Sequence, residues 1–369
     1  MRFSKELEEL KSNNLYRELR KVKVSNPFAY INGKRYLLLS SNDYLGLSRD
    51  ERVLNAIQDS LEQASQCSSR LIAGNDPLLE ELEDELAKHK DMEKALVYPT
   101  GYMANLAIEV LVNKGDLIVS DELNHASIID ACRLSRADIK IFKHNDINDL
   151  EDKLKGRADN KIVITEGVFS MDGDFAKLDE IYKIVKEYDA LLVLDDAHGD
   201  FIYGNNFRGT HELFNIKPDI IISSLSKGLG VFGGYIASNK EIIDYLINRS
   251  RTFIYTSALP AHLASGAIEA LKIAKDGKRQ KRLIKTYKML RKGLLSLGFN
   301  IVGDTQIIPI IVGEEEKALK LSRNLLDKGL LVQAIRYPTV KKGSARLRLS
   351  VTSLHLEYIN DILSIFKIV

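Results

Sequence analysis

Short runs of Val, Ile and Leu alternate with longer amphipathic segments over most of the chain. The runs that we expect to form strands cover residues 95–98, 116–121, 139–142, 161–169, 190–196 and 219–226. They are nearly continuous in apolar residues, as parallel strands buried on both faces usually are. Helical stretches separate them. The alternation therefore predicts an α/β fold with a mostly parallel central sheet.

Amphipathic periodicity predicts helices at 4–21, 51–65 and 77–90. Residues 30–39 are expected to form a hairpin whose turn is Asn32-Gly33. After residue 263 the pattern changes, and we expect a long charged helix (261–295), strands (307–312, 330–335 and 345–351) and two further helices (314–328 and 354–367). The predicted parts are an N-terminal arm (1–45), a large domain (46–265) and a smaller α+β C-terminal domain (266–369).

Composition narrows the class of protein. Apolar residues make up 45% of the 369 residues, and 53 Lys and Arg stand against 51 Asp and Glu. That balance argues against a dedicated nucleic-acid surface, which usually shows a basic excess. Two cysteines, Cys67 and Cys132, cannot form a disulfide framework or a cysteine metal site, and they fit a reducing, cytoplasmic setting. The first segment is charged throughout, so we expect no signal peptide. No apolar run is long enough to cross a bilayer, so we expect no membrane span.

Candidate chemistry lies just after the predicted strands, where ligands bind in open α/β sheets. Asp195 lies at the end of the strand at 190–196, His198 follows that strand, and Lys227 follows the strand at 219–226. A lysine in a desolvated site loses its charge more readily and becomes a usable nucleophile or base. Taken one at a time, these residues also fit a helix-capping Asp, a packed His and a solvated loop Lys.

Weaker candidates follow other strands. Gly101 in PTGYMANLA could expose backbone N–H groups to a phosphate, and His125 could stack on an aromatic ligand; an ordinary loop and a capping histidine are the alternatives. The acidic segment 165–174 makes metal binding conceivable, but an Asp-Gly turn explains part of it, and we expect no metal. Arg346 and Arg348 alternate with leucines on a strand, either as carboxylate receptors or as surface arginines.

Together, these residues resemble the α-oxoamine synthases, which are pyridoxal-phosphate enzymes with the aspartate-aminotransferase-like fold (fold type I). The resemblance runs from residue 40 to residue 350. The strings that carry it are SSNDYLGLS, HASIIDACRLS, KHND, TEGVFSMDGD, VLDDAHG, SLSKGLG and PTVKKGSARLRLS. It implies a cofactor, pyridoxal 5'-phosphate, and a decarboxylative condensation of an amino acid with an acyl thioester.

The resemblance also implies a role for each matching residue. In the catalytic set, Lys227 binds the cofactor covalently and acts as base, Asp195 pairs with its pyridinium nitrogen, His125 stacks on the ring, and His198 bonds near the phenolic oxygen. The other implied contacts are Ser170 near that oxygen, Gly101, Tyr102 and Ser224 at the phosphate, and Asn42 and Arg348 at the substrate carboxylate. A homodimer is implied too, in which Thr256 or, as the better match, Ser257 reaches the neighbouring subunit's phosphate.

Family members differ in the amino acid and in the acyl group. The compact length, TEGVFSMDGD and the TV-x-x-G-x-ARLRL string are most like the members of biotin biosynthesis, which use L-alanine and a pimeloyl thioester. Members that use glycine with succinyl- or acetyl-CoA, or serine with palmitoyl-CoA, remain alternatives, as does a non-catalytic dimer partner. Leu79, the Asp200-Phe201 pair and Phe232 depart from the family pattern. Their side chains would either narrow the tunnel that takes the acyl chain or only repack it. For Phe232 we expect repacking.

Overall fold

The computed structural model describes residues 2–369. The strands are β1 (Lys23–Ser25), β2 (Phe28–Ile31), β3 (Lys34–Leu38), β4 (Lys94–Tyr98), β5 (Leu117–Asp121), β6 (Asp138–Phe142), β7 (Lys161–Glu166), β8 (Leu191–Asp195), β9 (Ile220–Ser224), β10 (Gly234–Ser238), β11 (Ile307–Gly313), β12 (Leu330–Leu331), β13 (Gln333–Ile335) and β14 (Ala345–Ser350).

Helices fill most of the remaining chain. They are α1 (Arg2–Ser12), α2 (Glu51–Asp59), α3 (Pro77–Lys90), α4 (Gly101–Leu106), α5 (Ala126–Leu134), α6 (Ile147–Leu154), α7 (Leu178–Glu187), α8 (Thr210–Leu213), α9 (Lys240–Arg249), α10 (Arg251–Ile254), α11 (Ala261–Ala274), α12 (Lys278–Ser296), α13 (Glu315–Asp327) and α14 (Ile359–Phe366). A π-helical turn covers Arg70–Gly74, and 3₁₀ helices cover Ala107–Leu111 and Ser353–Tyr358.

The chain forms two compact units. Unit 1 contains the chain up to Gly46, the short segment Met171–Asp174, and Lys281–Val369. Unit 2 contains Leu47–Ser170 and Phe175–Gln280. The domain limits predicted from the sequence stay a prediction, and the units divide the chain at other residues. In particular, α11 belongs to unit 2 and the N-terminal residues group with the C-terminal part of the chain.

Unit 2 is built on a seven-stranded sheet of order β4-β10-β9-β8-β7-β5-β6. Its strands run parallel except β10, which is antiparallel to both β4 and β9. Alternate residues serve the two faces, so that Ile162 and Ile164 pack into one core and Val163 into another. The mostly parallel sheet predicted from the sequence is confirmed. The antiparallel strand β10, with the sequence GYIAS, was not predicted.

Unit 1 contains two smaller sheets. One has the order β1-β2-β3-β12, and the other has the order β11-β14-β13. The hairpin of β2 and β3 turns at Asn32 and Gly33, whose φ angles of 50° and 78° are both positive, as a type I′ turn requires. This hairpin is the one predicted from the sequence.

Several predicted helices are shorter or interrupted. The helix predicted at 4–21 ends at Ser12, because Asn14 adopts a left-handed conformation with a φ of 58°. The one predicted at 51–65 ends at Asp59. The long helix predicted at 261–295 breaks into α11 and α12 around Gly277, whose φ is 71°. A glycine reaches this conformation without steric cost and ends a helix there. None of the helices between residues 2 and 369 is long and apolar enough to cross a bilayer.

Candidate active site

Lys227 and His198 meet in unit 2, beyond the carboxyl ends of β9 and β8. The Lys227 Nζ atom lies 3.0 Å from His198 Nε2. His198 is held in a tight turn after β8, in which the Asp200 N–H donates to the Asp196 carbonyl at 2.8 Å. The Asp196 carboxylate anchors that turn by accepting hydrogen bonds from the backbone N–H and hydroxyl of Thr210, both at 2.8 Å. The structure therefore brings together two of the residues predicted from the sequence.

Asp195, the last residue of β8, presents a buried carboxylate that is 6% exposed. Its Oδ2 atom accepts a hydrogen bond from Asn105 Nδ2 at 2.6 Å, and its Oδ1 atom accepts one from the Ala197 N–H at 2.9 Å. Asn105 also donates to the Ser127 hydroxyl at 2.9 Å, which links α4 to α5. Sequence reasoning missed Asn105, although an Asn inside the apolar stretch MANLA was a usable signal.

His125 caps the N-terminus of α5. Its Nδ1 atom accepts the Ser127 N–H at 3.3 Å and lies 2.7 Å from the Ser127 hydroxyl, so the lone pair is on Nδ1 and the proton on Nε2. Burial lowers the pKa of His125, and the attraction of Asp195 opposes this shift. The ring is therefore neutral at pH 7. Tyr102 approaches it edge-on, with the ring centroids 6.3 Å apart, and bonds through its hydroxyl to Asp130.

Glu166 adds a second buried carboxyl beside Asp195. It ends β7 and is the register partner of Asp195 on the parallel strand β8. Burial raises the pKa of Glu166 well above its ordinary value, and the nearby Asp195 carboxylate raises it further. Glu166 therefore favours the protonated form, which limits the negative charge at this edge of the sheet.

Two glycines allow three chain segments to approach closely near the predicted phosphate residues. A Cβ atom on Gly101 would lie 3.1 Å from the Ser224 Cβ atom, and one on Gly234 would lie only 2.3 Å from the Gly101 nitrogen. Ser224 ends β9, and its hydroxyl lies 2.8 Å from that of Ser226. This arrangement sets the Ser224 hydroxyl beside the start of α4, three residues before Lys227. We call Gly101 and Ser224 the cradle; a side chain at Gly101 would crowd Ser224.

Asn42 and Arg348 meet in unit 1. Arg348 Nη1 donates to Asn42 Oδ1 at 3.2 Å and to the Ser350 hydroxyl at 2.6 Å. Arg348 is only 8% exposed, which rules out a surface arginine. Burial raises the pKa of Tyr44, which donates its phenol proton to Asn42 Oδ1 at 3.2 Å.

Arg346, on the same strand, is engaged differently. Its Nη1 atom contacts Asp172 Oδ1 at 2.7 Å and the Met171 carbonyl at 3.0 Å. Asp172, one of the acidic residues considered above for metal binding, is thus in an ion pair. Within residues 2–369, no group of three or more His, Cys, Asp or Glu side chains is placed to hold a metal ion.

The remaining predicted residues also lie in unit 2. Ser170 is buried, with 9% of its surface exposed, whereas Thr256 is half-buried and Ser257 is exposed just after α10. Of the departures, Leu79 is fully buried in α3 and Phe232 is 54% exposed. The repacking expected for Phe232 stays a prediction.

Comparison with known proteins places this arrangement in a family. The sequence profile of the family described as aminotransferase class I and II matches residues 34–365. The chain belongs to the aminotransferase class I and II family. The expected fold type I architecture is confirmed by membership in this family and by the solved structures that the chain resembles.

Two relatives and two solved structures illustrate the likeness of this family member. The chain is 45% identical over 360 residues to the 8-amino-7-oxononanoate synthase of Thermoanaerobacter pseudethanolicus, covering 95% of this chain and 91% of the relative. It is 42% identical to the enzyme of the same name from Thermosipho melanesiensis, covering 96% and 93%. Serine palmitoyltransferase of Sphingomonas wittichii superposes with a TM-score of 0.93 at 30% identity, covering 99% and 95%. For 8-amino-7-oxononanoate synthase of Francisella tularensis the TM-score is 0.78 at 29% identity, covering 90% and 97%.

Proposed function

We propose that the protein is an 8-amino-7-oxononanoate synthase of biotin biosynthesis. It condenses L-alanine with a pimeloyl thioester, either of CoA or of a carrier protein, and releases CO₂ and the free thiol. The observation that carries the proposal is the Lys227–His198 pair beside the buried Asp195, in a chain 45% and 42% identical to the enzymes of that name from Thermoanaerobacter pseudethanolicus and Thermosipho melanesiensis.

Pyridoxal 5'-phosphate, the cofactor predicted from the sequence, is supported by the family and by a structural neighbour described as SPT with PLP. The residues present fit this group. Lys227 offers an amine, Asp195 offers a buried carboxylate for a pyridinium N–H, and in the cradle the close approach of Ser224 to Gly101 puts a hydroxyl beside the N-terminus of α4, where phosphate oxygens would be bound. When bound, the cofactor supplies an electron sink for the negative charge that forms on the substrate Cα atom.

The side chains of this chain would then orient the reactants and move the proton. Lys227 takes the proton from the substrate Cα atom and must be neutral to do so. His198, 3.0 Å away, can share a proton with the amine and hold it in place. Asn105 fixes the orientation of the Asp195 carboxylate, and His125, neutral at pH 7, offers an uncharged ring face for stacking.

Arg348 and Asn42 are the proposed receptors of the amino-acid carboxylate. A guanidinium on a rigid strand binds a carboxylate through two parallel hydrogen bonds, which orients it as well as attracting it. Ser350 and Asn42 hold the Arg348 guanidinium in advance, so little conformational entropy is lost on binding.

We further propose a cytoplasmic homodimer in which Ser257, with Thr256 beside it, reaches the phosphate bound by the neighbouring subunit. The exposure of Ser257 just after α10 supports this, since a residue that serves another subunit must be accessible on its own.

The decisive experiment is a thiol-release assay with the purified, cofactor-loaded protein. Alanine, glycine and serine are each combined with pimeloyl-, succinyl-, acetyl- and palmitoyl-CoA. We expect the highest kcat/KM for alanine with the pimeloyl thioester. A preference for glycine with succinyl- or acetyl-CoA, or for serine with palmitoyl-CoA, would assign another α-oxoamine synthase activity, and no release with any pair would indicate a non-catalytic dimer partner.

A lysine substitution tests the assignment of the site itself. Lys227→Ala should abolish both thiol release and the visible absorption band of the bound cofactor. Lys217→Ala, which removes an exposed lysine from the same unit, is the matched control and should preserve both. An unaltered band in Lys227→Ala would refute the role of Lys227.

A further inference from the structure

A buried ionic cluster forms around Asp200, in the turn that carries His198. Asp200 is two residues after His198, and its carboxylate contacts the Lys90 ammonium and the Tyr235 hydroxyl. The Lys90 and Asp200 side chains are 0% and 1% exposed. Lys90 also donates to the Arg208 carbonyl. We call Lys90, Asp200 and Tyr235 the Asp200 clamp.

The clamp joins three separate elements. Lys90 is the last residue of α3, Asp200 lies in the turn after β8, and Tyr235 lies on β10, where it pairs in register with Ser223 of β9. Burial raises the pKa of Tyr235 well above its ordinary value, so its hydroxyl keeps the proton that it donates to Asp200. The charged groups around Asp200 are Lys90 and the anchored Asp196.

The clamp also touches the chain on the other side of the pair. A Cβ atom placed on Gly228, the residue after Lys227, would lie 2.8 Å from the Asp200 carbonyl oxygen and 3.1 Å from the Phe201 ring. Asp200 is thus close in sequence to His198, and its backbone lies so near Gly228 that a side chain there would not fit. A displacement of Asp200 would move both members of the pair.

Phe201 shows that this turn is held in an unfavourable conformation. Its φ of 63° is one that few side chains adopt. The ring is fully buried, stacks on His89 with centroids 5.5 Å apart, and has the Lys90 ammonium 5.1 Å from its centroid. Backbone strain of this kind persists only where the surroundings enforce it, and it concentrates at functional sites.

We propose that the Asp200 clamp is a positioning device for the Lys227–His198 pair: it fixes the turn that carries His198 against the glycine that follows Lys227. The kinetic effect expected from this inference rests on the proposed function, whereas the positioning of the pair does not. The chain departs from the family pattern at Asp200 and Phe201, and the clamp gives those departures a role.

The test compares three variants of the cofactor-loaded protein. Lys90→Met/Asp200→Asn removes both charges, and Tyr235→Phe removes only one hydroxyl. The matched control is Glu85→Gln/Lys275→Met, an ion pair of 3.1 Å that also begins on α3 but is half-exposed. Two quantities are measured, the kcat and KM values for thiol release and the pH midpoint of the cofactor's visible absorption band.

We expect kcat to fall about tenfold in the double variant, with both KM values changing by less than about threefold. The absorption midpoint should move by about 0.5 pH unit or more, because the distance and orientation of His198 and Lys227 change. Tyr235→Phe should move both quantities in the same direction by less, and the control should move neither.

Wild-type kcat and midpoint in Tyr235→Phe and in the folded double variant would overturn the inference. If the double variant does not fold, Tyr235→Phe alone decides. If the wild-type protein releases no thiol with any substrate pair, the proposed function fails, and the absorption midpoints still decide whether the clamp positions the pair.

Discussion

The Asp195 carboxylate depends on a neighbour from a different element. Asn105, on α4, donates to it at 2.6 Å and is 3% exposed. A hydrogen bond to a charged group contributes about 1.5–3 kcal/mol, which corresponds to roughly a 10- to 100-fold effect. We expect Asn105→Ala to lower kcat/KM within this range. Asn248→Ala, at an exposed asparagine on α9, serves as the control and should leave the kinetics unchanged.

Arg346 and Arg348 lie on the same strand, β14, but we expect substitutions at them to affect different properties. Arg348→Lys should raise the KM for the amino acid by about tenfold or more, because an ammonium cannot bind a carboxylate through two parallel bonds. Arg346→Lys should mainly lower the free energy of unfolding, since Arg346 pairs with Asp172 within unit 1. Steady-state kinetics and urea unfolding of both variants provide the comparison, and equal effects of the two variants on KM would contradict it.

At the residue scale, the sequence allowed a site residue to be predicted only where the pattern that marks it lies nearby along the chain. Asp195 ends a predicted strand, His198 and Lys227 closely follow predicted strands, and motif strings surround all three. Lys90 bonds to a residue 110 positions away, and Asn105 to one 90 positions away. No local pattern encodes such a pairing. Lys90 in particular looks like any charged residue at a helix end until the fold buries it.

At the element scale, a histidine joins a 3₁₀ helix to a strand in unit 1. The Leu38 carbonyl of β3 lies 3.1 Å from His355 Nε2, and the Thr352 N–H donates to His355 Nδ1 at 3.0 Å. The imidazole must be neutral to accept that second bond, and Nε2 then donates to Leu38. Burial lowers the pKa of His355 to about 4. Protonation would therefore break the cap of the 3₁₀ helix.

This arrangement predicts a loss of stability in acid. The unfolded chain binds a proton at His355 below about pH 6.5, whereas the folded chain binds it only near pH 4, so the free energy of unfolding falls as the pH falls between these values. At pH 5 this loss amounts to about 2 kcal/mol.

Urea unfolding at pH 7 and pH 5 measures the effect. The stability advantage of the wild-type protein over His355→Gln should shrink by about 2 kcal/mol between the two pH values. Ser353→Ala removes a neighbouring hydrogen bond, 2.9 Å long and donated to the Leu45 carbonyl, without removing a titratable group. Its cost should be the same at both pH values.

Strong local patterns allowed some elements to be predicted closely. α3 begins at Pro77 after the capping Asp76 and ends at Lys90, as expected, because a cap and a proline mark its start. The break between α11 and α12 was missed, since the apolar periodicity continues across it and a single Gly277 is a weak signal. β10 was missed as well, because five residues after a glycine-rich stretch carry too little pattern.

At the scale of the whole molecule, the proposed dimer predicts complementation. If Ser257 serves the neighbouring site, a mixed dimer of Lys227→Ala and Ser257→Asp subunits contains one site with both native residues. After unfolding and joint refolding of equal amounts, about a quarter of the wild-type activity should return, since half of the dimers are mixed and half of their sites are intact.

Each variant refolded alone is the control and should stay inactive or strongly impaired. If the mixture shows no more activity than the mean of the two separate variants, Ser257 acts within its own subunit and the shared site is refuted.

The pairing of β3 with β12 has a consequence for the synthesis of the protein. β3 ends at Leu38, and its partner Leu330–Leu331 leaves the ribosome about 290 residues later. At about 5–20 residues per second, the N-terminal hairpin waits roughly 15–60 s with one edge unpaired. During that time all of unit 2, which ends at Gln280, is made and can fold. The nascent hairpin therefore presents an open strand edge to other chains, and a chaperone that covers it would act before the last tenth of the protein exists.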